Sequence, residues 1–354
     1  MHKIASITFL ASVSVVSASI WYLVDVTDSS QDLVKIRNSL LYVVRGTDVY
    51  DWTPYNPPTD FLWEQSKPSS KFLDTAQKIL AKNSENGTEL MRTIELSHHL
   101  IAEKKRPAKP IQSNTATAYR MITEHGYGYC ADYTQVLDGL ALAVGIPIRE
   151  CGMSFDGYGG DGHAFSEVFD QNLQKWIFID SFYSFYLVDE EGIPLSVTQL
   201  HNMLRSGLSN SIQLVKINES KFSFPNKKKA IAYYLRGSES FYMLWGNNVY
   251  SYDENLIVSI AGTISRSAEQ LVAIVLGIYP KIVIRTDWQN QKGIEELRTL
   301  KLVLLIAFSF SVLACIALAW LAMQHRPSSK RSGSRAHDSS STVETRESKK
   351  FQQK

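Results

Sequence analysis

A thiol, an imidazole and a carboxylate stand in that order along the middle of this chain: Cys130, His163 and Asp180. A cysteine attacks a carbonyl carbon as its thiolate, a histidine can hold and return the proton, and an acid can orient the histidine. Each residue sits in a context that suits its task. Cys130 follows Gly126-Tyr127-Gly128-Tyr129 and opens an apolar run (Val136, Leu137, Leu140, Ala141, Val144) that Gly145 and Pro147 end. That pattern predicts a buried helix beginning at the cysteine. Its free N–H groups and dipole would favour a thiolate there, and the Cys130 N–H is a candidate oxyanion donor. The second donor has no signature in the sequence.

His163 follows a loop containing Gly157, Gly159, Gly160 and Gly162, and it starts an alternating run to Phe169. Asp180 ends the apolar run Trp176-Ile177-Phe178-Ile179. Asp170-Gln171-Asn172-Leu173 reads as a hairpin turn, which would place the two strands side by side with His163 and Asp180 near the same end. A single histidine at a strand start is more often structural, and a single aspartate there is more often a turn former. The combination carries the signal. Asp132, in the first turn of the cysteine helix, reads as a helix-start residue. Cys151 is the competitor: a disulfide to Cys130 would remove the nucleophile. It lies on the strand after the helix, which should begin at the helix's far end, so the disulfide is the weaker expectation.

The elements around these residues can be read in the same way. Leucine, alanine and isoleucine at helical spacing predict helices over 69–82, 88–104 and 113–124, and an amphipathic stretch runs from 32 to 44. The proline-bearing stretch 50–58 reads as extended loop. After the cysteine helix, runs rich in β-formers cover 146–153, 163–169, 175–179 and 182–188. Helix follows over 196–204. Helices first and antiparallel strands after predict an α+β fold, with N-terminal helices packed on an antiparallel sheet. Lys227-Lys228-Lys229 reads as a solvated face, residues 238–254 are rich in aromatics, and the apolar run 271–284 reads as core or as a segment resting on a membrane.

Two stretches lack any charge over a length that crosses a bilayer, 4–24 and 302–323. The first is read as an uncleaved anchor, with a cleaved signal peptide as the alternative, and the second as a transmembrane helix. Beyond Met323 there are eight Lys/Arg against Asp338, Glu344 and Glu347, so the rest of the chain is net −3 within a total of +2. The slightly acidic body argues against nucleic-acid binding. The basic tail favours the cytoplasmic side and places the body outside, periplasmic if the membrane is the inner membrane of a Gram-negative cell. The resulting division is 1–25 anchor or signal peptide, 26–84 helical region, 85–205 catalytic domain, 206–300 extension of unassigned role, 301–324 span, and 325–354 disordered tail. No Cys/His spacing suggests zinc and no phosphate loop occurs, so no metal or cofactor is expected.

Four blocks then occur together: Gly128-Tyr129-Cys130-Ala131-Asp132-Tyr133, Ala143-Val144-Gly145-Ile146-Pro147-Ile148-Arg149-Glu150, Gly162-His163-Ala164-Phe165-Ser166-Glu167-Val168, and Trp176-Ile177-Phe178-Ile179-Asp180. In order and spacing they resemble the transglutaminase-like superfamily, which shares a papain-type cysteine site, over roughly residues 85 to 200. The resemblance implies Cys130 as nucleophile, His163 as general base and acid, and Asp180 as its orienter. It implies acyl transfer through a thioester to an amine or to water, on a peptide or protein substrate, by a bacterial membrane-anchored enzyme. The competing expectation is a non-catalytic module of the same fold, binding peptide or glycan in cell-envelope or surface-polysaccharide assembly.

Overall fold

The computed structural model describes residue 14 and residues 30–82, 86–101, 109–111, 113–218, 222–286 and 290–324. The expected N-terminal span, apart from residue 14, and the basic tail lie outside the described residues. Within them the architecture is α+β, with an eight-stranded sheet and eleven helices.

The helical periodicity over 69–82, 88–104 and 113–124 becomes three helices, each with buried residues, and a further helix precedes them. Helix α1 is Ser30–Leu41 and runs directly into strand β1, Tyr42–Arg45, so the end of the expected amphipathic stretch is strand. Helix α2, Ser70–Leu80, is capped by Ser69, whose hydroxyl accepts from the Phe72 N–H, and it buries Phe72, Ala76, Ile79 and Leu80. Helices α3 (Glu89–Ile101) and α4 (Thr115–His125) follow, and then α5 (Cys130–Ala143), which is buried along most of its length. Helices α2 to α5 form one layer of core with the sheet residues Ile148, Val168, Ile177 and Ile179.

The central strands are β2 (Ile148–Ser154), β3 (Gly162–Asp170), β4 (Lys175–Asp180) and β5 (Phe185–Val188). They form an antiparallel meander whose register pairs Met153 with His163 and Ser166 with Ile179. Alternation sends the neighbouring side chains Cys151, Met153, Phe165 and Phe178 to the other face. There they pack with helices α6 (Val197–Arg205) and α7 (Lys227–Gly237) through Leu200, Leu204 and Tyr234. Helices therefore cover both faces of the sheet, and not the N-terminal side alone. Arg149 and Glu167, opposite each other on β2 and β3, make a buried ion pair at 2.7 Å.

The full strand order is β1-β8-β7-β2-β3-β4-β5-β6, where β6 is Gln213–Lys216, β7 Phe241–Leu244 and β8 Ile282–Arg285. The β1–β8 pair is parallel and the other pairs are antiparallel. Strands from both sides of the expected boundary at 205/206 thus share one sheet. The region assigned no role completes that sheet on both sides. The apolar run 271–284 divides between the end of helix α10 (Arg266–Val275) and the wholly buried β8. Short helix α8 (Val249–Asp253) and helix α9 (Leu256–Ile264) precede it.

Among the described residues one helix is long and apolar enough to cross a membrane. Helix α11, Gln291–Gln324, contains that stretch within Gln291–Ala317, where an 18-residue window reaches a mean hydropathy of 2.5. It starts ten residues before the expected span, because its first turns pack on the body: Leu297 is buried, and the Lys301 ammonium donates to the Leu40 carbonyl.

Candidate active site

The turn before Cys130 is built by two glycines in the left-handed region. Gly126, at φ 71°, closes helix α4, its N–H donating to Ile122 O. Gly128 has φ 112°, and a Cβ there would lie 3.1 Å from the Tyr133 ring. A side chain at that position would meet both backbone strain and a clash. The chain then enters α5 at Cys130, whose thiol is free and half-buried. As the first residue of the helix, Cys130 has no intrahelical acceptor for its N–H. Asp132 takes the helix-start role expected of it: its Oδ2 accepts from the Tyr129 N–H at 2.9 Å and the Ile111 N–H at 3.2 Å.

His163 is nearly fully buried at the start of β3, and its Nε2 lies 2.7 Å from Oδ2 of Asp180 at the end of β4. The hairpin thus brings these two together. Asp180 is itself fully enclosed. Its Oδ1 accepts from the Tyr183 N–H at 2.8 Å, and its Oδ2 also accepts from the Tyr234 hydroxyl. With Nε2 engaged by Asp180, Nδ1 is the nitrogen left to face Cys130, which lies close enough for its charge to raise the imidazole pKa. Burial pulls the imidazole pKa down, but Asp180 and Cys130 outweigh it and hold it up at about 10. At neutral pH the ring beside the sulfur is therefore an imidazolium, the partner that stabilises a thiolate.

Aromatic rings enclose the imidazole. Tyr183 lies 4.9 Å away and Tyr233 5.6 Å away, centroid to centroid, and Phe182 stands at 6.1 Å. Such walls exclude water and strengthen the charge interactions within. On the other side the site opens into a cleft of about 550 Å³, bounded in part by Cys130, His163, Asp138, Glu150, Tyr242 and Asp253. Burial, against the charge of Arg37, raises the Glu150 carboxyl to about 7. Burial, with the charge of Glu150 added, holds Asp138 well above the usual carboxylate range, though Ser166 Oγ donates to it at 2.6 Å. The cleft can therefore hold part of its carboxyl lining in the neutral form near pH 7. Gln135, little more than one turn after Cys130, spends its amide on Ser113 O and Thr115 Oγ1.

Cys151 is a free thiol, enclosed in the core with Met153 and Phe165 on the sheet face away from α5. Burial and the nearby Glu167 charge raise its pKa well above the ordinary thiol value. The alternating strand turns it away from Cys130, so no disulfide joins the two. No cluster of three or more His, Cys, Asp or Glu suited to a metal occurs among the described residues.

The sequence reading missed the tyrosines. Tyr234, whose hydroxyl donates to the Asp180 carboxylate, comes from helix α7, 54 residues beyond Asp180. Tyr233 beside it belongs to the ring wall around His163. The only signal available was the adjacent pair Tyr233-Tyr234 on an amphipathic helix, which carries no indication of its partner.

No curated protein and no solved structure matches the chain. The family model for the transglutaminase-like superfamily matches residues 74–181, from within α2 to just past Asp180, so the match encloses Cys130, His163 and Asp180 but stops before Tyr234. The chain carries a domain of the transglutaminase-like superfamily.

Proposed function

We propose that the protein is a membrane-anchored thiol enzyme that transfers or hydrolyses an acyl group of a peptide or protein amide. The observation that carries this reading is the placement of His163 between Asp180 and Cys130, with Cys130 at the N-terminus of a buried helix. In this reading the Cys130 sulfur attacks the substrate carbonyl, and the Cys130 N–H faces the oxyanion. The imidazolium of His163 gives its proton to the departing amine, leaving a thioester on Cys130. His163 then takes a proton from the incoming water or amine as it attacks the thioester, and sulfur departs as thiolate. Asp180, fixed by Tyr183 and Tyr234, holds the ring in the orientation both steps require. Helix α11 anchors the body. The basic residues Arg326, Lys330 and Arg331 after it support a cytoplasmic tail and an extracytoplasmic site.

The test is turnover of a glutamine-rich protein substrate, read once as ammonia release and once as incorporation of a fluorescent primary amine. Wild type should show one or both, and Cys130→Ala neither, with an unchanged melting temperature. Equal turnover by the two proteins would refute the reading.

A further inference from the structure

Helix α9, Leu256–Ile264, carries no charged residue, and its two sides differ. Val258 and Ala261 are buried, and Val258, Ser259, Gly262 and Thr263 line the cleft that holds Cys130 and His163. Leu256, Ile257, Ile260 and Ile264, spaced i, i+1, i+4 and i+8, share the outer face and are 55 to 78% exposed. On helix α10, packed against α9, Leu271 and Val275 are exposed by 58 and 76%. A contiguous outward set of large aliphatic side chains marks a surface that meets something other than water.

The position of the hairpin indicates what covers it. Helix α11 leaves the folded body at Lys301, whose ammonium lies over the Tyr42 ring and donates to Leu40 O. Tyr42 pairs with Ile282, the first residue of β8. Helix α10 ends at Val275, a few residues before Ile282, and the N–H groups of Ile278 and Tyr279 fold back onto Ala273 O. The bare end of the hairpin and the emerging apolar helix therefore lie at the same end of the β1–β8 pair. Just past Lys301, α11 itself exposes Leu302, Val303, Leu305 and Ile306, and both α10 and α11 pack on helix α1.

We propose that the α9–α10 hairpin docks into the interfacial layer of the lipid bilayer that α11 crosses, with its six outward aliphatic side chains among the acyl chains. The inference rests on the reading of α11 as a membrane span. A helix lying in the interface buries such a face at the headgroup–acyl boundary and keeps its opposite side toward protein or water. Here that opposite side is a wall of the cleft, so docking sets the height of Cys130 above the membrane and favours substrates presented at the bilayer surface.

The experiment uses the full chain in nanodiscs of phosphatidylethanolamine and phosphatidylglycerol in equal parts, with and without bromine on the upper acyl carbons. Ile260→Trp and Leu271→Trp should each add fluorescence that brominated lipid quenches. Leu208→Trp, exposed just before β6 at the opposite edge of the sheet, should add fluorescence that is not quenched. Trp320 on α11 reports the span independently: quenching of the wild type should fall in Trp320→Phe. Loss of signal at 260 and 271 but not at 208 supports docking. Quenching of Trp320 with none at 260 or 271 overturns it, and mass photometry of the same discs then shows whether a second copy covers the face. Absence of Trp320 quenching would instead remove the span, and the docking with it.

Discussion

Replacing Asp180 by asparagine should disable the site while leaving its shape in place. The Oδ1 position accepts the Tyr183 N–H, so an asparagine keeps its carbonyl there and turns its amide nitrogen toward His163 Nε2 and the Tyr234 oxygen. That nitrogen can only donate, and it holds Nε2 unprotonated, which puts the ring proton on Nδ1 facing Cys130. The ring can then accept no proton from the thiol. Removal of the carboxylate also leaves burial, which lowers the imidazole pKa, without its largest opponent. In wild type the ring, at about 10, is almost fully charged at pH 8. At or below an ordinary value of about 6.5 it would be charged in only about 3% of molecules, a loss of about 30-fold from protonation alone. With the tautomer wrong as well, the fall in kcat/KM should reach on the order of 10³-fold. Two assays need no knowledge of the substrate. The rate of iodoacetamide addition at Cys130 at pH 7 should drop in Asp180→Asn. The His163 Cε1 proton, followed by NMR of the labelled chain, should titrate near 10 in wild type and several pH units lower in the variant. If the two proteins alkylate at the same rate and His163 titrates alike in both, Asp180 does not hold the ring as described.

Tyr234→Phe removes one donor from the buried Asp180 carboxylate and should cost roughly 1.5–3 kcal/mol of stability, read by chemical denaturation. It should lower kcat/KM by less than Asp180→Asn does. Gly128→Ala must hold a side chain at φ 112° against the Tyr133 ring, so it should lose about 1–3 kcal/mol, with a matching fall in melting temperature. Glu150 has a folded-state value of about 7, above its unfolded one, so its neutral form is favoured by folding and its charging destabilises the protein as pH rises from about 4.5 through 7. Glu150→Gln should therefore raise stability by about 1–3 kcal/mol at pH 8 and change little at pH 4. His163 has the opposite consequence in a base. Its raised pKa adds stability that is full below about 6.5 and is lost as pH climbs through 10, so wild type should lose more stability than His163→Gln across that alkaline range.

The residues that could be read from the sequence are those whose neighbours are close in the chain. Cys130 follows a glycine turn and opens a helix whose apolar spacing is unbroken, and both boundaries of that helix emerge where expected. His163 and Asp180 are joined by a single hairpin with a four-residue turn, so sequence spacing alone brings them to one end. The edge of the sheet was hidden for physical reasons. Strand β1 has only four residues and continues directly from a helix, and β8 is buried on both faces, which erases the alternation that marks a half-exposed strand. Tyr234 was hidden because its partner is tertiary. A tyrosine on an amphipathic helix looks the same whether its hydroxyl meets water or a buried carboxylate. The outward apolar face of α9 was hidden for a related reason: Leu256-Ile257-Val258 shows hydrophobicity but not which of its sides meets protein.

The most direct test of the account is the covalent state of Cys130 during turnover. A substrate peptide mixed with the protein and quenched in acid should leave an acyl group on Cys130, located by peptide mass spectrometry and released by hydroxylamine as a thioester is. The adduct should be absent from His163→Gln and should leave Cys151 and Cys315 unmodified. A turning-over protein with no acyl group on Cys130, or with one that survives loss of His163 unchanged, would contradict the proposed thiol–imidazole chemistry.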